Sequence, residues 1–157
     1  MQQKINFSMN IKRFFLAIIL SFICGLTFAQ DQLFSQFEEE KGVSLVYISP
    51  AMFKLMPKKD VGDISSIASK MTKLQILECE RPSLIPSIKK KALECYQKQQ
   101  YEVVMKAKDD DDRTTIYQKA LGKGKNEFVL FTEEKDGLTI IQVVGNISLN
   151  DIKDLKE

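Results

Sequence analysis

The 157 residues include no histidine. That removes the commonest general base, the Ser-His and Cys-His nucleophile pairs and the usual zinc sites. What remains for chemistry is a set of carboxylates, three cysteines and a glycine-lysine turn. Asp109-Asp110-Asp111-Asp112 is the densest acidic run. Read as a calcium loop opening at Asp109, it has Thr114 and Ala120 where an EF-hand needs Gly and Glu. It reads instead as a solvated hairpin tip whose charge discourages aggregation. Gly122-Lys123-Gly124-Lys125 lacks the Gly-Lys-Ser/Thr ending of a phosphate loop and opens a strand, so it reads as a turn. Glu38–Glu40 and Lys89–Lys91 read as solvated faces, and Asn146-Ile147-Ser148 matches a glycosylation sequon that has no meaning in most bacteria. A carboxylate pair is the one engine open to a histidine-free hydrolase. No pair stands out, so no catalytic, cofactor-binding or metal-binding residue is assigned, and no cofactor is expected.

Cys79 and Cys95 lie sixteen residues apart and make no metal motif. Two readings stand for them. A disulfide would stabilise by about 3 kcal/mol in the chain-entropy model, if the chain is exported to an oxidising compartment. The favoured alternative is two buried small apolar side chains.

The amino-terminal stretch supplies the export signal. Lys4, Lys12 and Arg13 precede an apolar run from Phe14 to Leu26, and Thr27-Phe28-Ala29 places small residues before Gln30. The run is shorter than the ~20 residues of a spanning helix, so residues 1–29 are expected to be a signal peptide cleaved after Ala29. Ser21-Phe22-Ile23 fits poorly as the lipobox that lipidation of Cys24 would need. Removing residues 1–29 takes three bases and no acid, leaving 20 basic against 21 acidic residues. The apparent basicity belongs to the targeting segment, and no nucleic-acid partner is expected.

Residues 30–157 are expected to form one domain. Asp31 to Lys41 predicts a short helix with Leu33, Phe34 and Phe37 on one stripe, stopped by Gly42. Val43–Ile48 predicts a strand, with Ser49 capping and Pro50 opening a helix over Ala51–Met56. Met52, Phe53, Leu55 and Met56 read as core in preference to a soft binding surface. Asp60 or Asp63 caps a helix through Ile64, Ile67, Ala68 and Met71. Lys73–Glu80 predicts a second strand, and this strand–helix–strand order favours a right-handed parallel crossover. Ser83 to Gln99 predicts a helix with Leu84, Ile88, Ala92 and Cys95 toward the sheet and Gln97–Gln100 in water. Tyr101–Lys108, with Val103 inward, begins a meander that returns over Arg113–Leu121. It ends in the hairpin Glu127–Phe131 and Leu138–Val144 around Asp136-Gly137. Both hairpin strands are apolar on both faces, which places them inside the sheet. Ser148 caps a last helix with Asp151 at its third position. The expected class is α+β: one mixed, mostly antiparallel sheet of about six strands, with a C-terminal four-stranded meander and packed helices. The alternative is a small N-terminal subdomain beside a four-stranded one.

Two segments, VSLVYISPAMFKLM at Val43–Met56 and IIQVVGNISLNDIKDL at Ile140–Leu155, resemble a family of exported Bacteroidota proteins catalogued as domain of unknown function 4252. The carrying positions are Tyr47, Ser49, Pro50, Met52, Phe53, Gly145, Asn146, Ile147 and Leu149. They read as structural: a strand-to-helix junction and a strand end turning into a capped helix. Members are often described as lipoproteins, and the family has no assigned activity to carry over. The expectation is a non-catalytic periplasmic or cell-envelope protein that binds another envelope protein or a small ligand, in envelope maintenance or signalling. A histidine-independent envelope hydrolase and an outer-membrane structural lipoprotein are the competing expectations.

Overall fold

A computed structural model describes residues 29–55 and 65–153. Residues 1–28 with Cys24, the expected caps Asp60 and Asp63, Met56 and the side chain of Phe53 lie outside the described residues.

The two apolar-faced strands of the hairpin, β5 (Lys125–Glu133) and β6 (Leu138–Gly145), are the central pair of a six-stranded sheet. β4 (Asp112–Gly122) and then β3 (Glu102–Asp109) add on one side, as the meander predicts. β2 (Met71–Cys79) and then β1 (Val43–Ile48) add on the other. The amino-terminal strands therefore extend the same sheet and form no separate subdomain. Every strand pairing is antiparallel. The parallel crossover expected between β1 and β2 is thus corrected. Ile48 pairs with Leu74, so the connection leaves and re-enters at one end of the sheet. The connection carries the short helices α2 (Pro50–Leu55) and α3 (Ser65–Ala68), and its sense is set by β2 re-entering at the end where β1 leaves. Met71, expected in a helix, opens β2.

Strand alternation sorts the side chains into two cores. On one face, Leu77, Val129, Phe131 and Ile140 meet α4 (Ile85–Lys98) through Ile88, Ala92 and Tyr96. Leu33 and Phe34 of α1 (Ala29–Ser35), with Phe37 just beyond it, close the same core. Tyr96 anchors an aromatic cluster, with ring centroids 4.8 Å from Tyr117, 5.5 Å from Tyr101 and 6.4 Å from Phe131. On the other face, Val46, Ile76, Ile141, Leu130, Ile116 and Met105 stand in register across all six strands. Ile67 of α3 and Ile152 of α5 (Leu149–Lys153) pack with this second core.

Local chemistry revises several expectations. α1 ends at Ser35, six residues before the predicted end, and turns carry the chain to Gly42. Ser49 caps α2, its Oγ accepting from the Met52 N–H at 3.4 Å. α4 starts at Ile85, two residues after the expected Ser83, whose hydroxyl accepts from Arg81 Nε at 3.1 Å. A bulge between Val103 and Met105 shifts β3, leaving Val103 exposed where alternation points it inward.

The capping box on α5 forms as expected. Ser148 Oγ accepts from the Asp151 N–H at 3.3 Å, and Asp151 Oδ2 accepts from the Ser148 N–H at 2.7 Å. Asp151 also pairs with Lys70 at 2.7 Å. The Lys70 hydrogen bond, then those from Ser148, lower the Asp151 pKa from 3.8 to about 2. A depressed carboxylate pKa stabilises the fold above its ordinary value, and the benefit is lost as pH falls through the folded one. Asp151→Asn is therefore expected to lower the melting temperature near neutrality. That deficit should vanish as pH falls from 3.8 through about 2. A deficit of equal size in strong acid would refute the assignment.

Candidate functional site

Two features stand apart from ordinary core packing. The first is a buried polar knot under α4. On β5, Glu127 shares the α4-facing side with Val129 and Phe131, yet it is a carboxylate only 7% exposed. Gln142 Nε2 donates to its Oε1, and the Tyr101 hydroxyl also hydrogen-bonds it. Lys119 lies opposite Glu127 in the β4–β5 register, donates to Gln99 Oε1 at 3.0 Å and sits 5.4 Å over the Tyr101 ring. Gln99 Nε2 donates to Cys95 Sγ at 3.4 Å. Burial, and then the Glu127 carboxylate, push the Tyr101 pKa well above the ordinary phenol value, so Tyr101 stays a donor. Burial also raises the Cys95 pKa against the opposing pull of the Gln99 hydrogen bond. A protonated thiol is a poor nucleophile. The knot is thus a carboxylate held by two donors beside a protonated thiol, an arrangement that ties α4, β4, β5 and β6 together. Among the described residues no group of three or more Cys, Asp or Glu could hold a metal ion.

The second feature is the free edge of β1. The strand VSLVYI carries no charge, and among the described residues it pairs only with β2. Val46 is 44% exposed and Tyr47 60%. α2 follows after Ser49 alone, and its Met52 and Leu55 are 50% and 77% exposed. The opposite edge, β3, is guarded by Glu102, Lys106, Lys108, Asp109 and the bulge. Between α1 and β1 runs a groove of about 200 Å³, lined by Asp31, Phe34, Glu38, Leu45, Tyr47 and Gln75. Asp31 pairs with Lys73. Gln75 Oε1 is buried there with no hydrogen-bond partner among the described residues.

The positions singled out in the sequence separate into two groups. Ser49, Gly145, Ile147 and Leu149 take part in the fold: Ser49 caps α2, Gly145 meets the Lys70 backbone, Ile147 is 2% exposed and Leu149 packs beside it in the second core. Asn146 joins them through its main chain, its N–H donating to Lys70 O at 2.9 Å. Tyr47, Pro50 and Met52 are exposed, and the core does not use them. All these residues lie at one end of the sheet, where β1 finishes, β2 begins and β6 finishes. Cys79 and Cys95 are thiols and not a disulfide. Cys79 is 1% exposed, its Sγ donating to Arg81 O at 3.5 Å, and fits the buried apolar reading. Cys95 is half-buried at the margin of α4, and Tyr96 takes the central position expected for it. Gln99, expected in water, is 9% exposed. Residue types did hint at the knot: Glu127 and Gln142 each interrupt an apolar strand face.

The Asp109–Asp112 run is a hairpin tip with Asp110 at φ 45°, and Gly122–Lys125 is a turn, as expected. No described helix is long and apolar enough to cross a membrane. No curated protein and no solved structure matches the chain. Its match to a family model covers residues 37–155, which takes in the whole sheet and α2 to α5, and so the chain belongs to the family described as domain of unknown function (DUF4252).

Proposed function

We propose that this protein is an exported, non-catalytic binding module of the bacterial cell envelope, docking a partner protein along β1 and α2. One observation carries the reading: an uncharged edge strand with Tyr47 60% exposed, continued by Leu55 at 77%. A bare neutral edge offers unpaired N–H and C=O groups to any extended chain, and natural sheets guard such edges unless they are used. The same sheet guards its other edge. Clustered aromatic and aliphatic side chains then supply the anchor that main-chain pairing lacks. Support for export is the basic, apolar and small-residue order of residues 1–29. The family resemblance makes a Bacteroidota host the natural setting, with roles in envelope maintenance or signalling. The test is a photoreactive residue placed at Tyr47, and separately at Lys106 on the guarded edge, in cells of the native host. A discrete adduct is expected from position 47 and none from 106. Silence at position 47, or equal adducts from both, refutes the reading.

A further inference from the structure

We infer that the occupant of the β1 edge is a second copy of this chain, its β1 antiparallel to the first, so that the two sheets join across a two-fold axis. The inference rests on the docking reading above and names its partner.

Four features of the edge fit a copy of itself. The strand VSLVYI has no charged residue, so self-apposition brings no like-charge penalty. Pairing also terminates, because the charged and bulged β3 edge cannot continue it. One open edge and one guarded edge give a closed dimer and not a fibre. Residues opposed across an antiparallel pair must share a sheet face, which restricts the register. Centring on Val46 sets Leu45 against Tyr47 of the other copy on the helix-bearing face, and Ser44 against Ile48 on the other face. The incoming Tyr47 hydroxyl then reaches the groove between α1 and β1. That groove offers the carboxylate acceptors Glu38 and Asp31. Antiparallel pairing further sends the two Glu38–Glu40 runs to opposite ends of the seam, where parallel pairing would set them side by side. Val46 and Tyr47 on the pairing strand are 44% and 60% exposed, and Met52 and Leu55 on the adjoining helix 50% and 77%, so apolar surface is open to burial on each copy.

The test uses the processed protein, its amino terminus established by mass spectrometry. Light scattering across a dilution series is expected to give twice the chain mass, falling to one on dilution. Val46→Cys is expected to form an intersubunit disulfide between the two introduced cysteines under mild oxidant, mapped by mass spectrometry. Val103→Cys, equally exposed on the guarded edge, should form none. Val46→Lys sets two ammonium groups face to face and is expected to weaken dimerisation by about 100-fold or more, with the unfolding midpoint unchanged when both proteins are compared at concentrations where wild type is monomeric. If that variant fails to fold, the uncharged Val46→Cys decides. A monomer at every concentration, equal crosslinking at 46 and 103, or a dimer indifferent to Val46→Lys overturns the inference. A monomer whose position-47 probe still captures a different envelope protein overturns the second copy and leaves the docking reading intact. A monomer with no adduct overturns both.

Discussion

Gly145→Ala is expected to cost about 4 kcal/mol or more, among the largest effects a single methyl can have. A Cβ at Gly145 would sit 2.2 Å from the Lys70 carbonyl oxygen, 2.8 Å from Met71 Cα and 3.0 Å from Lys70 C. All three are main-chain atoms, so no rotamer change relieves the clash. The backbone must separate instead, at the place where three interactions converge. Lys70 O accepts the Asn146 N–H at 2.9 Å, Met71 pairs with Gly145 in the β2–β6 ladder, and Lys70 Nζ holds Asp151 of α5. Opening it loosens Ile147 and Ile152, both buried in the second core. Gly122→Ala is the control. Its φ is +82° but nothing lies within 4 Å of a new Cβ, so only the left-handed backbone strain of about 1–2 kcal/mol applies. Urea unfolding of both variants measures the difference. A Gly145→Ala cost no larger than that of Gly122→Ala would remove the close-approach argument.

Glu127→Ala is expected to cost about 3 kcal/mol. The carboxylate is the shared acceptor of Gln142 and Tyr101 in a site from which water is largely excluded. Its removal takes the acceptor from the buried Gln142 amide, at a cost of about 1–3 kcal/mol, and from the half-buried Tyr101 hydroxyl, and opens a cavity. Glu127→Gln keeps the volume and one acceptor oxygen and should cost about half as much. The triple variant Glu127→Leu, Tyr101→Phe, Gln142→Leu removes donors and acceptor together and should recover most of the loss, since a fully apolar replacement can be nearly neutral. Chemical denaturation of the series checks the order alanine, glutamine, triple. If the triple variant is the worst of the three, the knot is not a set of mutually compensating partners. Its crosslinking from position 47 should match wild type, because the knot lies under α4 and the docking edge is β1.

Much of this molecule was legible without coordinates. The hairpin strands are apolar on both faces, so they had to be central, and β5 and β6 are. Ser148 and Asp151 stand at capping-box spacing, and the box forms. Turn residues at Asp109–Asp112 and Gly122–Lys125 fixed the meander within a residue or two, because such turns are decided by φ and hydrogen bonding over four residues. Direction was not legible for β1 and β2. Two short helices between two strands suit either sense, and only the return to the same sheet end settles it. The Val103 shift was hidden for a similar reason, since a bulge is a property of two strands in register.

The site divides along the same line. The sequence by itself determined which strands are buried, that Ser49 and Ser148 cap α2 and α5, which motifs for metal, phosphate or histidine chemistry are missing, and that β1 is uncharged. Tertiary structure alone decided that β1 is an edge, that Glu127, Gln142, Tyr101 and Gln99 meet, and that Gly145 touches Lys70. Periodicity and capping are local, written within a few residues of one another. Edges, buried polar partners and close backbone approaches join residues as far apart as 70 and 145, and they exist only once the chain has folded back on itself.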